Sequence, residues 1–498
     1  MSISRNIIAL YASSLATAVV GLASAPIYLH WLGIEAYAIT GVMVMMLMWF
    51  ALLDLGLTPA LSRSVTQFVA GTRDANWLGG VLAGLERLFG VLALVAIAAV
   101  AAVAPWVAET WIEAAALPTA TVAQSLMLIG AICGMRLWYG LYVGGLTGLQ
   151  RLKWIALFSA VAAIARLVLS VAAIAWLWTD VRMLLAVNLV FSIGELAMVR
   201  WRLRADLPAA CRGCAPNWRA VGDLRNYAGG LALTTLVTIF LNGLDKAILP
   251  IFVPLHAFGC YMLAYSASQA LYRLITPVFT AVQPRLTEMC ERGDLAGFAA
   301  LYHRGAQATA VMVMPLGLLL AACPESALHA WTGNAVVAAE SADVLRILAF
   351  ATVLHSCMYI PYAAQLAYGW TGLALRLNVF MAVLLVPALF LGVQRHGILA
   401  AAWIWLTLNI FYMLVMNVLM TRRILQGHML RWYLVDLGPP AVASVLCAVV
   451  VTLVIPVDLG RIATAALLAC AALISTALAA LASPLRSELM ARLKGRAI

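Results

Sequence analysis

The sequence specifies an all-α polytopic membrane protein. Three observations carry that expectation: too little charge to coat a water-soluble surface, apolar runs long enough to cross a bilayer, and basic residues confined to alternate ends of those runs. Charged residues make up 10% of the 498 and hydrophobic ones 65%, and mean hydropathy is +1.00. A soluble domain carries about 25% charged residues. With less than half of that, lipid must be the solvent for most of the chain. Many apolar runs reach about 20 residues, which as helix spans about 30 Å of hydrocarbon. A transmembrane β-barrel would show segments of about 10 residues alternating in polarity, and the sequence has none.

Reading the runs between charged or turn-rich breaks predicts about fourteen spans. The first six cover 6–29, 38–61, 78–104, 119–147, 154–178 and 183–200. Six more cover 226–253, 257–284, 303–323, 342–368, 372–393 and 397–421, and a final pair covers 433–455 and 461–482. The resulting organisation is an N-terminal lobe over 1–200, a cytoplasmic basic loop over 201–225, a C-terminal lobe over 226–423, and a last helix pair with a basic tail over 424–498. Arg5, the apolar run after it and Ala23-Ser24-Ala25 loosely imitate a secretory leader. The run is longer than a leader's and Pro26 follows directly, so it is read as the first span.

Basic residues test this layout. With the N-terminus in the cytoplasm, the inside segments hold Arg5, Arg63, Arg73, Arg151, Lys153, the six arginines from Arg200 to Arg225, Arg285, Arg292, Arg304, Arg376, Arg422, Arg423, Arg431 and the tail cations Arg486, Arg492, Lys494 and Arg496. These are 22 of the 31 Lys and Arg, while the outside segments hold Arg182, Arg395 and Arg461. A miscounted span would scramble the alternation downstream of the error. Both termini are therefore expected in the cytoplasm, and the net charge of +11 is topological and calls for no nucleic acid. The segments Pro26–Tyr37 (PIYLHWLGIEAY) and Pro250–Tyr261 (PIFVPLHAFGCY) sit at the first span junction of each half. Six spans per half give a parallel repeat, which implies a pseudo-twofold axis along the membrane normal and a cavity between lobes.

Ionisable residues inside spans cost roughly 2.5–3.5 kcal/mol each at a helix centre, so they mark function or pairing. Arg87 and Arg346 lie near span ends and can snorkel. Arg136, Arg166 and Arg273 lie near mid-depth, where they face either structural ion pairs or a bound anion. Lys246 is next to Asp245, and Asp54 and Glu195 are the other deep acids. Arginine outnumbers acid at that depth, which predicts a positive chamber for an anionic ligand. Polar stripes at helical spacing support a shared wet wall: Tyr11, Ser14, Thr17, Gly21, Ser24 and Tyr28; Tyr227, Gly230, Thr234, Thr238, Asn242 and Asp245; Tyr261, Tyr265, Ser268, Gln269, Tyr272 and Arg273. Such stripes also suit close helix packing.

Catalytic and metal motifs are absent. The sequence has no phosphate-binding loop and no zinc-type His-Glu-x-x-His, its seven histidines look scattered, and Cys211-Arg212-Gly213-Cys214 is a lone pair without two further ligands. No enzyme activity, cofactor or metal is expected.

Several segments resemble a known family. Pro26-Ile27-Tyr28-Leu29, Leu32-Gly33, Glu35 and Tyr37 precede Phe50-Ala51-Leu52-Leu53-Asp54-Leu55-Gly56-Leu57 and Arg63, which is similar to the "LLDLGL…R" signature of Wzx-type O-antigen flippases. Leu241-Asn242-Gly243-Leu244-Asp245-Lys246 through Gly259-Cys260-Tyr261 resembles the family's "N-x-x-D-[KR]…G-x-Y" pattern. Pro284-Arg285-Leu286 with Gly293-Asp294 resembles its next loop, and Gly148-Leu149-Gln150-Arg151 and Gly397-Ile398-Leu399-Ala400-Ala401 fit weaker elements. The resemblance implies the MOP (multidrug/oligosaccharidyl-lipid/polysaccharide) exporter superfamily, whose members alternate a central cavity between membrane faces.

It further implies a flippase in the bacterial inner membrane that moves an undecaprenyl-pyrophosphate-linked oligosaccharide, a polysaccharide repeat unit such as that of O-antigen lipopolysaccharide, to the outer leaflet. On this reading Arg136, Arg166, Arg273 and Lys246 bind the diphosphate, and Asn242, Tyr265 and Gln269 contact the glycan. Asp54, Glu195 and Asp245 are candidates for coupling to an H+ or Na+ gradient. The polyprenyl tail stays among membrane lipid, and contact with polysaccharide polymerase machinery is a further expectation. The alternatives are a lipid II flippase, favoured by fourteen spans, a multidrug cation antiporter, and a membrane glycosyltransferase or polymerase.

Overall fold

A computed structural model describes residues 3–454 and 460–486, excepting the side chains of residues 3–12, 225–235, 238, 371 and 374. Arg5, Tyr11, Arg225, Tyr227, Gly230, Thr234, Thr238 and the tail cations Arg492, Lys494 and Arg496, named above, lie outside the described side chains. All regular structure among the described residues is helical. Nine helices are long and apolar enough to cross a membrane, judged by length and composition among the described residues.

The chain folds as two compact units, Met1–Gly259 and Cys260–Ile498. The first holds α1 (Ile3–Phe50), α2 (Leu57–Val69), α3 (Ala75–Thr110), α4 (Thr119–Gly148), α5 (Leu152–Trp176), α6 (Val181–Asp206), α7 (Trp218–Asp223) and α8 (Arg225–Phe252), and α9 (Leu255–Gln269) begins in it. The helix α4 is central, packed on α2, α3 and α6, while α5 lies along α1. Leu61, Leu78, Leu85, Phe89, Leu141, Tyr142 and Leu203 form the core of this unit. The polar stretch between α6 and α8 is fastened to the start of α3, where Asn217 N–H donates to the Gly80 carbonyl at 3.0 Å.

The second unit contains α10 (Tyr272–Glu291), α11 (Leu295–Ala322), α12 (Pro324–Thr332), α13 (Ala335–Cys357), α14 (Tyr359–Ala367), α15 (Thr371–Arg423), α16 (Met429–Arg431), α17 (Gly438–Val454) and α18 (Arg461–Ala482). One turn of π-helix, Trp432–Leu437, leads into α17. The terminal pair α17–α18 packs on α11 and α18 also on α12, with Leu319, Cys323, Val451 and Ala471 buried at the seam. Arg461 donates to the Ala330 and Trp331 carbonyls at 3.1 and 2.9 Å, closing the C-terminus of α12 as a cation should.

The expected span junctions have visible causes. The chain breaks at Gly33 (φ +83°) inside α1 and at Gly397 (φ +57°) inside α15, both conformations that glycine adopts without a Cβ clash. Three expected spans differ from the sequence reading because each is interrupted. Span 38–61 stops at Phe50, makes a 3-10 turn over Ala51–Asp54, and restarts as α2 after the left-handed pair Leu55 and Gly56. Span 257–284 divides between α9 and α10, and span 342–368 divides at Met358. Apolar composition is continuous across these elbows, so periodicity gives no sign of them. The stretch between the expected spans 303–323 and 342–368 is largely α12 and the start of α13.

Glu35 shows what a polar residue just after the first break does. Its carboxylate, buried at 6% exposure, accepts from the Ala115, Ala116 and Leu117 amides at 2.9, 2.8 and 3.0 Å. Three otherwise orphaned donors ahead of α4 are satisfied by one charge. Glu35→Ala is expected to lower stability by about 2 kcal/mol, since hydrogen bonds to charged groups contribute about 1.5–3 kcal/mol and the freed amides regain some water. Thermal unfolding of purified protein checks this, and an unchanged melting temperature refutes it.

Candidate functional site

The first unit gathers two of the mid-span arginines on one carboxylate. The spacing of α4, α5 and α6 brings Arg136, Arg166 and Glu195 together: Arg136 Nη1 lies 2.7 Å from Glu195 Oε2, and Arg166 Nη2 is hydrogen-bonded to Oε1. Glu195 is 5% exposed and stands on a buried polar stripe of α6 with Asn188 and Ser192, a stripe visible in the sequence at four- and three-residue spacing. Two guanidiniums share one carboxylate, leaving one positive charge over. Both also keep a buried donor with no acceptor, Arg136 Nη2 and Arg166 Nε. The Arg136 guanidinium lies 5.3 Å from the Tyr139 ring centre, which disperses charge without supplying a counter-ion. These two arginines thus hold a counter-ion and retain capacity to donate to a further anion.

Lys246 has a different setting. It is 1% exposed, and its Nζ donates to both Asp245 oxygens at 3.0 Å and to the Asn242 carbonyl one turn back at 2.9 Å. Asn242, Asp245 and Lys246 therefore form one group on α8. Asp54 stands at the elbow between the 3-10 turn and α2, where Oδ1 accepts from the Thr58 amide at 3.1 Å and from its hydroxyl. It caps α2, satisfying a donor the helix cannot. Among the described residues Asp54 has no cation within ion-pair distance.

In the second unit Tyr265 and Gln269 are half-buried on the last turns of α9, and Arg273 is exposed at the start of α10, so the three follow the α9–α10 elbow. Below Arg273, Thr276 and Thr280 are also exposed and continue its polar face. Behind that face lies an aromatic cluster missed in the sequence because its members come from separate helices. Tyr272 and His355 are hydrogen-bonded at 2.8 Å, and Tyr359 stands edge-on to Phe279 at 5.7 Å. Phe279 stacks on Tyr362 at 6.4 Å, and Tyr362 is 38% exposed.

The basic segment at 200–212 is ordered by pairing. Arg204 lies 2.7 Å from Glu86, and Arg151 and Arg202 lie 3.0 and 3.2 Å from Asp206. Cys211 and Cys214 are free thiols, and burial pushes the Cys211 thiol up from its ordinary value, away from the reactive thiolate.

Helical units of this kind, with many large apolar side chains exposed and helices long enough to cross a bilayer, are those of a multi-spanning membrane protein. A family model described as "Polysaccharide biosynthesis protein" matches residues 3–290; the chain belongs to that family. Among solved structures it is similar to the lipid II flippase MurJ in an inward closed conformation, at 11% identity and TM-score 0.76, covering 95% of this chain and 98% of that one. A multidrug resistance MATE family transporter of the MOP superfamily in an inward-facing conformation matches at 13% identity and TM-score 0.66, covering 81% and 95%. A MOP superfamily transporter from Pyrococcus furiosus, described as having a binding pocket of reversed polarity, matches at 15% identity and TM-score 0.56, covering 86% and 96%. No curated protein matches the sequence. The fold is that of MOP-superfamily flippases and transporters.

Proposed function

We propose that the chain moves an undecaprenyl-pyrophosphate-linked oligosaccharide from the cytoplasmic to the outer leaflet of a bacterial inner membrane by alternating access. The observation that carries this reading is the two-to-one ratio of guanidinium to carboxylate at Glu195, with a buried donor left over on each arginine. A diphosphate offers oxygens for those donors and charge for the unbalanced cation. Carrying it unaided through hydrocarbon is prohibitive, because charge and sugar hydroxyls must shed water. Arg273 and the polar face of α10 offer a second basic surface, with Tyr265, Gln269 and the neighbouring aromatic rings suited to sugar. The polyprenyl tail remains in lipid. A carrier of organic cations calls for the opposite charge balance, which counts against an antiporter of that kind.

Arg136→Gln and Arg166→Gln each remove one charged donor worth about 1.5–3 kcal/mol, so substrate binding should weaken roughly 10- to 100-fold. Outer-leaflet glycan, measured in cells with unchanged membrane levels of the protein, should fall accordingly. Full export by both variants overturns the reading. A lipid II flippase shares the diphosphate chemistry and is favoured by the MurJ match, which extends over 95% of the chain. Competition between a polyprenyl-pyrophosphate oligosaccharide and lipid II for the purified protein separates the two.

A further inference from the structure

A second polar cluster lies in the unit Cys260–Ile498 and shares no residue with the candidate site. Asp436 is fully buried, His303 is 2% exposed and Gln307 is 4% exposed. His303 Nδ1 is hydrogen-bonded to Asp436 Oδ2, Gln307 Nε2 donates to Asp436 Oδ1 at 2.7 Å, and His303 Nε2 lies 2.8 Å from His428 Nδ1, the two rings stacked at 5.1 Å. His428 is half-buried and precedes α16, so the chain runs from a sealed carboxylate to the protein surface. Asp436 is carried on the π-turn Trp432–Leu437. Such turns insert an extra residue and re-aim the side chains around it, and here Pro439 and Pro440 follow with no N–H to continue an α-helical ladder.

The groups around this chain lend it no compensating cation at the carboxylate. Tyr302 of α11 is fully buried beside it, Tyr433 on the π-turn gives its hydroxyl to the Met413 carbonyl of α15 at 3.0 Å, and α17 presents Ser444, bonded to Pro440. The cations nearby are all exposed: Arg304 on α11, Arg422 and Arg423 at the end of α15, and Arg431 next to the turn. Among the described residues none of them lies within ion-pair distance of Asp436. An ionised carboxylate held by an amide and an imidazole alone is costly in such a place, whereas a neutral one is not.

We propose that Asp436, His303 and His428 form a proton-uptake site, filled from water at His428 and storing one proton on Asp436, and that transport is coupled through it. The transfer balances along existing bonds. With Asp436 ionised, His303 Nδ1–H donates to Oδ2 and His428 Nδ1–H donates to His303 Nε2. A proton arriving at His428 Nε2 shifts the His428 Nδ1 proton to His303 Nε2 and the His303 Nδ1 proton to Asp436 Oδ2. Both imidazoles end neutral in the other tautomer, every bond is kept with its direction reversed, and the cluster's charge rises from −1 to 0. Burial, with His303 and Arg431 nearby, holds His428 below the usual histidine value of 6.5, so at neutral pH it passes a proton on rather than keeping it. The sign of the linkage follows: this histidine costs nothing above about pH 6.5 and destabilises the fold as pH falls below that.

The link to transport rests on the flippase reading; proton uptake does not. The test uses the full-length protein in lipid nanodiscs, titrated in the infrared. The carbonyl stretch of a buried protonated carboxylic acid should grow in on acidification and be lost in Asp436→Asn. The same band in that variant overturns the proposal, as does its absence from the wild type. His428→Gln keeps the carboxylate and can still donate to His303, so it guards against a failure of Asp436→Asn to fold. After a pH jump its band should grow at least roughly tenfold more slowly, the scale of a lost positioned proton donor, and an unchanged rate overturns the route. Flipping that ignores an imposed pH gradient overturns the coupling, while failure of the flippase reading itself shows separately in the export of the Arg136→Gln variant.

Discussion

Glu195→Gln is expected to be among the most destabilising single changes in the first unit. The substitution keeps shape and removes the one charge that Arg136 and Arg166 share. Breaking a buried pair by deleting one partner costs about 3–5 kcal/mol, because the other charge is left uncompensated. Here two guanidiniums are stranded instead of one, while their exposures of 22% and 26% admit some water, so a loss of about 3 kcal/mol is expected. The diagnostic comparison is the double variant Arg136→Gln/Glu195→Gln, which removes one of the stranded cations and should melt above Glu195→Gln alone. The single variant should also bind inorganic pyrophosphate more tightly, since both arginines are then released. A Glu195→Gln protein as stable as the wild type would mean that the triad holds nothing together.

A second large effect is expected at Gly148, where α4 meets α2. A Cβ there would lie 2.5 Å from the Ser62 carbonyl oxygen and 2.7 Å from Val65 Cβ, and at Gly144 it would lie 2.7 Å from the Thr58 carbonyl oxygen. The obstructing atoms include backbone, so no side chain can swing aside, and glycines four apart are what allow two helices in lipid to approach this closely. Leu57, Ala60, Leu61 and Val65 of α2 are buried and would be levered out of contact. Gly148→Val should cost about 3 kcal/mol or more, at or beyond the upper end of overpacking penalties, with a matching fall in the amount of folded protein in the membrane. Gly140 lies on the same stripe, but its nearest neighbour is Thr58 Oγ1 at 3.9 Å. Gly140→Ala should therefore be neutral or slightly stabilising through helix propensity. Equal behaviour of the two variants would refute close packing as the reason for the stripe.

These two sites also show how far the sequence carried. Helical class and multi-spanning character follow from composition and run length, because lipid leaves a chain few ways to satisfy its backbone. The sharing of Glu195 was not legible: it depends on the rotation of α6 against α4 and α5, which no apolar run encodes. The elbows at Ala51–Gly56 and Gln269–Tyr272 were missed for a related reason, since hydropathy does not change where the backbone turns. Asp54 stands out in the sequence as a candidate coupling acid, while its bonds to Thr58 are invisible there without the turn that creates them. The histidines looked scattered, yet His303 and His428, separated by 125 residues, meet ring to ring. Convergence of distant residues is the information a single sequence holds least openly.

The anchoring of the last two helices bears on what may be cut from this chain. Arg461 grips the carbonyls that end α12, and Asp436 arrives on the approach to α17 to complete a group rooted in α11. A shortened protein ending after α15 would keep His303 and Gln307 but strip them of their acceptor, and would lay bare the apolar flank of α11 at Leu319. The final hairpin thus serves as a keystone for its neighbours, and a remnant without it should be no simpler version of the whole.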